Sequence, residues 1–198
     1  MAYFWTTMDN RGKNVTINEG GHYEAIDRGS SSPSVKMSNG IIPSSDIPEL
    51  CVSGSPEASL FAKIQSAQRD GQYHIYKTNE TPDIKLEGSL DFDEIEEHRY
   101  NMEKRDSVNL RFFKSVKIPM RVVKDIQDAY TYSEANGVNF RYAREIKSHL
   151  RGLLNGNSYP QDALKQAKLD EFEDFANHYG VNMAKKLYGE VPDGYEED

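Results

Sequence analysis

Five histidines are the chain's first candidates for proton transfer or metal ligation: His22, His74, His98, His149 and His178. None stands three or four residues from another, so no two can ligate a metal from one helix face. His74 alone falls on a well-signalled strand, where a hydrogen-bonded structural histidine is the simpler reading. Ser53 sits between a strand and a helix, a place where nucleophiles and phosphate sites occur. A hydrolase also needs a base and an orienting acid, and turn and cap chemistry accounts for residues 53–56. The single cysteine, Cys51, rules out an internal disulfide framework and a Cys-based zinc site. Within the apolar run 50–52 it is expected to be a buried structural thiol.

Carboxylates cluster at Asp91, Asp93, Glu94, Glu96 and Glu97. Asp91, Asp93, Glu94 and Glu96 could hold a hard cation, although the spacing is not that of an EF-hand loop. As structure, they suit the acid-rich first turn of a helix. No GxGxxG, Walker-type loop or GxSxG occurs, and Gly20-Gly21 does not stand at a strand-to-helix turn.

The cations are more organised. Arg111, Lys114, Lys117, Arg121 and Lys124 gather about the strand-to-helix junction at Pro119, and Arg141, Arg144, Lys147 and Arg151 follow at helical spacing. Residues 1–103 carry nine Lys/Arg against seventeen Asp/Glu, residues 104–151 eleven against five, and residues 152–198 four against ten. A basic middle lies between acidic ends. Either the charges balance within the molecule, or Arg111, Lys114, Lys117, Arg121 and Arg144 mark a site for an acidic partner or a phosphate. The net charge of −8 argues against a general nucleic-acid binder.

Elements must position these groups. The 198 residues, 37% hydrophobic and 28% charged, suit one domain with a helical appendage, and Tyr and Phe supply much of the core. Residues 3–7 and 13–18 are β-rich and predict a hairpin, followed by a long polar loop over 19–45 that is mobile near 29–34. PELCVSG predicts a strand. Ser55 as N-cap, Pro56 at the first turn and the stripe Leu60, Phe61, Ile64 and Ala67 predict a helix. Residues 72–78 alternate as a strand, with Tyr73 and Ile75 on one face and His74 and Tyr76 on the other. A loop is expected at 79–89 and an exposed helix at 91–106. The strand predicted over 108–118 is apolar on one face except at Lys114 and polar on the other except at Phe113, and a bulge at 113–114 repairs both. Helical periodicity follows Pro119, with breaks at Asn136-Gly137, 155–160 and Gly180. The acidic end VPDGYEED is expected to fray. The start lacks the basic and apolar regions of a signal peptide and no stretch is apolar enough for a membrane span, which predicts a soluble, cytoplasmic protein.

The order CVSGSPEASLFAKI, QYHIYKTNETPD, SVNLRFFKSVKI resembles a group of small phage and bacterial open reading frames, and compact ADP-ribosyltransferase-like folds, over residues 48–119. That resemblance implies a cleft for NAD as cofactor and nominates Tyr76 with the Glu94/Glu96 pair as catalytic. The first strand, YFWTT, lacks the family's Arg or His, its serine strand has only Ser53 as a stand-in, and Ser107-Val108-Asn109 stands where a Glu leads the last strand.

The expected fold is α/β (α+β): a small mixed-sheet core over 1–118 with its polar N-terminal loop, a helical subdomain over 119–190 and an acidic tail over 191–198. The expected function is a non-enzymatic, inhibitory or otherwise protein-binding protein of phage or mobile-element type, with no cofactor. Its expected partner has an acidic surface. An NAD-using enzyme or toxin is the alternative, and nucleotide or nucleic-acid binding by residues 104–151 the second.

Overall fold

The two best-alternating segments of the sequence, near residues 72–78 and 108–118, lie side by side. A computed structural model describes residues 2–8, 22–24, 35–37, 40–42, 49–85, 96–101, 107–135 and 142–196. They fall into two units, Met1–Val123 and Lys124–Asp198. The first unit contains β1 (Phe4–Met8), β2 (His22–Glu24), β3 (Val35–Met37), β4 (Gly40–Ile42), β5 (Glu49–Ser53), α1 (Pro56–Ala67), β6 (Gly71–Thr78), β7 (Ile84–Lys85), β8 (Glu97–Asn101), β9 (Ser107–Asn109) and β10 (Arg111–Ile118). Six strands make one antiparallel sheet in the order β10-β6-β1-β5-β8-β7, while β2 pairs with β9 and β3 with β4. Helix α2 (Met120–Ala135) begins in this unit. It continues into the second, where α3 (Ala143–Leu154), α4 (Ala163–Tyr179) and α5 (Val181–Tyr188) follow. The protein is thus mixed α/β with C-terminal helices.

Strand alternation sorts the first unit's core into two layers. On one sheet face Leu50, Val52, Tyr76, Tyr100, Val108 and Leu110 cluster with Phe4 and Met8 packed against them. The other face meets α1, which packs across β1, β5 and β6 and buries Leu60, Phe61 and Ile64. A Thr7 Oγ1 to Ser59 Oγ hydrogen bond of 2.7 Å joins helix to sheet. The Ser55 hydroxyl accepts from the Ala58 amide at 3.2 Å, and Pro56 opens the helix, as its sequence predicts.

Several expectations change. Both edges of β1 are taken, by β5 and β6, so residues 3–7 join the sheet's interior rather than a local hairpin; residues 13–18 lie outside the described ones. Three short strands stand where a long loop was expected over 19–45, and residues 29–34 lie outside the described set. Within the range 91–106, where a helix was expected, residues 91–95 and 102–106 lie outside the described ones, and residues 97–101 form β8. Its Arg99, Tyr100 and Asn101 are buried, because pairing to β5 outweighs the helical bias of the flanking acids. Cys51 is exposed, not buried: the alternation that turns Leu50 and Val52 inward turns it outward. The expected long strand is two, β9 and β10, separated at Leu110. A register shift does fall between Phe112 and Lys114.

In the second unit, Ala143, Ile146, Leu150 and Leu154 form the buried stripe of α3. Phe172, Ala176, Ala184 and Tyr188 form a cluster between α4 and α5. Gly180, at φ 87°, makes the break between these helices in a conformation that favours glycine. The acidic end does not simply fray, since the Tyr195 ring packs edge-on to Phe172 at 4.8 Å.

Candidate functional site

β10 is the outermost strand of the sheet. β6 takes one of its edges, and no strand of the described residues takes the other. From residue 107 to residue 124 the chain carries Arg111, Lys114, Lys117, Arg121 and Lys124 and no acidic residue. Arg111, Lys114, Lys117 and Arg121 are all exposed. The structure brings the first three together along β10 and sets Arg121 in the first turn of α2. Arg144, exposed on α3, belongs to the other unit.

Register decides where these cations point. Arg111 stands opposite Lys77 and Lys114 opposite Ile75, while Ser115 and Lys117 stand opposite His74 and Gln72. Because β6 alternates, Arg111 and Lys114 share the face of Lys77 and Ile75, and Lys117 takes the other. The bulge causes the switch. Before it Phe112 opposes Tyr76; after it Val116 and Ile118 oppose Tyr73 and Gly71, so the apolar series moves from one sheet face to the other. The cations therefore line a rim, reachable from both faces. Two large rings interrupt them, Phe112 at 36% and Phe113 at 41% exposure. Bulges and lysines are also how natural sheets discourage strand addition at an edge. The rim offers side chains, then, rather than a free backbone ladder.

Beside the rim the rings gather. Ser53, Trp5, Lys77 and Arg111 form a row across four strands. Trp5 meets Phe113 edge-on at 4.9 Å and Tyr3 at 6.3 Å. The Lys77 ammonium lies 4.8 Å from the Tyr3 ring centre, 5.5 Å from Phe113 and 5.7 Å from Trp5. All three distances are within cation–π range. Sequence reading missed this group because its members are scattered over residues 3, 5, 77 and 113. The one visible signal was the chain's only tryptophan next to two other aromatics in a short strand.

The remaining candidates have structural surroundings. Tyr76 is buried in the core with Phe112 edge-on at 5.7 Å, and its hydroxyl has no hydrogen-bond partner. Glu96, at φ 51°, reaches the start of α1. Its carbonyl accepts from the Gly54 amide at 3.1 Å, and Ser55 Oγ lies 3.5 Å from its carboxylate. A carboxylate there complements the helix dipole. A Cβ on Gly54 would come within 2.6 Å of that carboxylate, so a larger residue there would push the end of the Glu96 side chain aside. No hydrogen bond joins Tyr76 to Glu96, and Glu94 lies outside the described residues. His74 Nδ1 is 2.7 Å from Ser115 Oγ, a cross-strand bond between β6 and β10. Ser53 is buried. Among the described residues no group of His, Cys, Asp and Glu is placed to hold a metal ion, and no helix is long and apolar enough to cross a membrane.

Comparison with known proteins gives no match: no family model, no curated protein and no solved structure corresponds to this chain. A functional reading has only the chain's own residues to stand on.

Proposed function

We propose that this chain is a non-enzymatic binding protein, of phage or other mobile-element type, that acts in the cytoplasm by holding a protein with an acidic surface. The observation that carries this reading is the β10 rim, an acid-free run of exposed cations interrupted by the exposed rings of Phe112 and Phe113. Arginine and aromatic side chains supply most of the energy of protein interfaces. A field of one sign speeds encounter with its complement and rejects like-charged competitors.

The test is capture of a partner from a lysate by the intact protein and by the variant with Arg111→Glu, Lys117→Glu and Arg121→Glu. All three positions are exposed, so circular dichroism and melting temperature should match the parent while capture disappears and falls with salt in the parent. Unchanged capture sinks the rim as the interface. Release of nicotinamide from NAD by the purified protein would replace the reading with the enzymatic alternative. Affinity for DNA or RNA that collapses as salt rises would favour the nucleic-acid one.

A further inference from the structure

Lys77 and Arg111 are directly opposite on neighbouring strands, an arrangement that like charges disfavour. Among the described residues neither forms an ion pair with a carboxylate. The three rings around Lys77 account for part of this. They hold its ammonium by cation–π attraction and shield it from water, and Lys77 is accordingly half-buried. They do not account for Arg111, which is exposed and has no ring of the described residues over it. Two adjacent cations, one partly desolvated, have no anion beside them among the described residues to make their pairing favourable. Around them Tyr3 and Phe113 remain 43% and 41% exposed, as large apolar surface bordering a charged centre.

We infer that this corner is the specificity subsite of the rim. It takes a carboxylate between the Lys77 ammonium and the Arg111 guanidinium, with an apolar or aromatic residue of the same acidic segment lying on Tyr3, Trp5 and Phe113. The inference rests on the proposed protein-binding function and names the chemistry of the partner's contact. Arginine binds a carboxylate through two parallel N–H donors while lysine adds a point charge, so one carboxylate can satisfy both. The apolar rim lowers the local dielectric and strengthens that contact. A protein segment suits the corner better than a nucleic acid. The chain carries 32 acidic residues against 24 Lys/Arg and repels a phosphate at every nucleotide more than a few spaced carboxylates.

Trp5 is the only tryptophan of the chain, so its fluorescence reports this corner alone. The intact protein is titrated with the blocked peptide Glu-Phe-Glu, with Gln-Phe-Gln, with Glu-Gly-Glu and with oligothymidylate. Glu-Phe-Glu should change Trp5 emission saturably. Gln-Phe-Gln and Glu-Gly-Glu should each bind on the order of fivefold more weakly or worse, the size of one lost surface contact. Arg111→Glu and Phe113→Ala should each weaken Glu-Phe-Glu while the melting temperature holds. No saturable response, or equal response to the Gln peptide, overturns the subsite; tighter binding of oligothymidylate overturns it in favour of a stacking platform for bases. The double variant Lys77→Met, Phe113→Ala separates the two levels of the argument. If it captures partner as well as the parent while the rim's triple Glu variant does not, the subsite fails and the rim survives. If the triple Glu variant captures normally, the protein-binding reading itself fails.

Discussion

Tyr76 shows how a residue's surroundings decide between chemistry and structure. A tyrosine that serves an active site needs its hydroxyl where a substrate can reach it, whereas this one is 1% exposed and its oxygen has no partner. A buried, unsatisfied hydroxyl costs ~1–3 kcal/mol. Tyr76→Phe should therefore leave binding unchanged and raise the melting temperature by a few degrees, ~2–4 °C per kcal/mol at this chain length. A differential scanning calorimetry trace showing a lower midpoint would mean that the hydroxyl is satisfied after all. The sequence places Tyr76 on a strand with His74 on the same face, and this is how the structure has it. It cannot reveal that the face is covered, because Leu50, Val52, Tyr100 and Val108 come from elsewhere in the chain. Glu96 is similar: its acidic neighbourhood is legible, but its position over the start of α1 depends on β8 pairing with β5.

At the scale of elements, a signal is legible where one short segment carries it. Ser55 and Pro56 announce α1, and the paired exceptions at Phe113 and Lys114 announce the bulge. Segments whose state is set by a distant partner carry no such local signal. Residues 97–101 have helix-leaning neighbours yet form β8, and β1 finds its partners 48 to 74 residues away. β10 gives this scale its prediction. Its lysines and bulge protect an edge that no described strand takes, so Lys114→Val with Lys117→Val should leave the monomer folded but promote self-association. Light scattering at rising protein concentration should show larger species for the double variant and none for the parent. A monodisperse double variant would mean that the edge is protected by something other than charge.

For the molecule as a whole, the division at Val123 and Lys124 separates a sheet whose contacts are long-range from helices whose contacts are mostly between neighbours. Helical periodicity begins after Pro119, a few residues before that division. The exact break was not legible, because it falls inside α2, whose sequence is continuous. Removing residues 2–8 takes out a strand bonded on both sides and leaves β5 and β6 each with an unpaired edge. The truncated protein should lose the cooperative melting of the sheet unit while keeping much of its helical circular dichroism from α3, α4 and α5. Full retention of the β signal would show that β5 and β6 can close on each other without β1.

The place of β1 between later strands also imposes an order on birth. A ribosome adding ~5–20 residues per second needs roughly 4–14 s to pass from the end of β1 to the end of β6. Until β5 is made Phe4 and Trp5 wait on a strand with neither neighbour, and for the rest of that interval one edge of the strand stays open. The nascent chain must be kept from pairing with its copies on the same messenger, and a slower codon run or a missing chaperone would be felt there first.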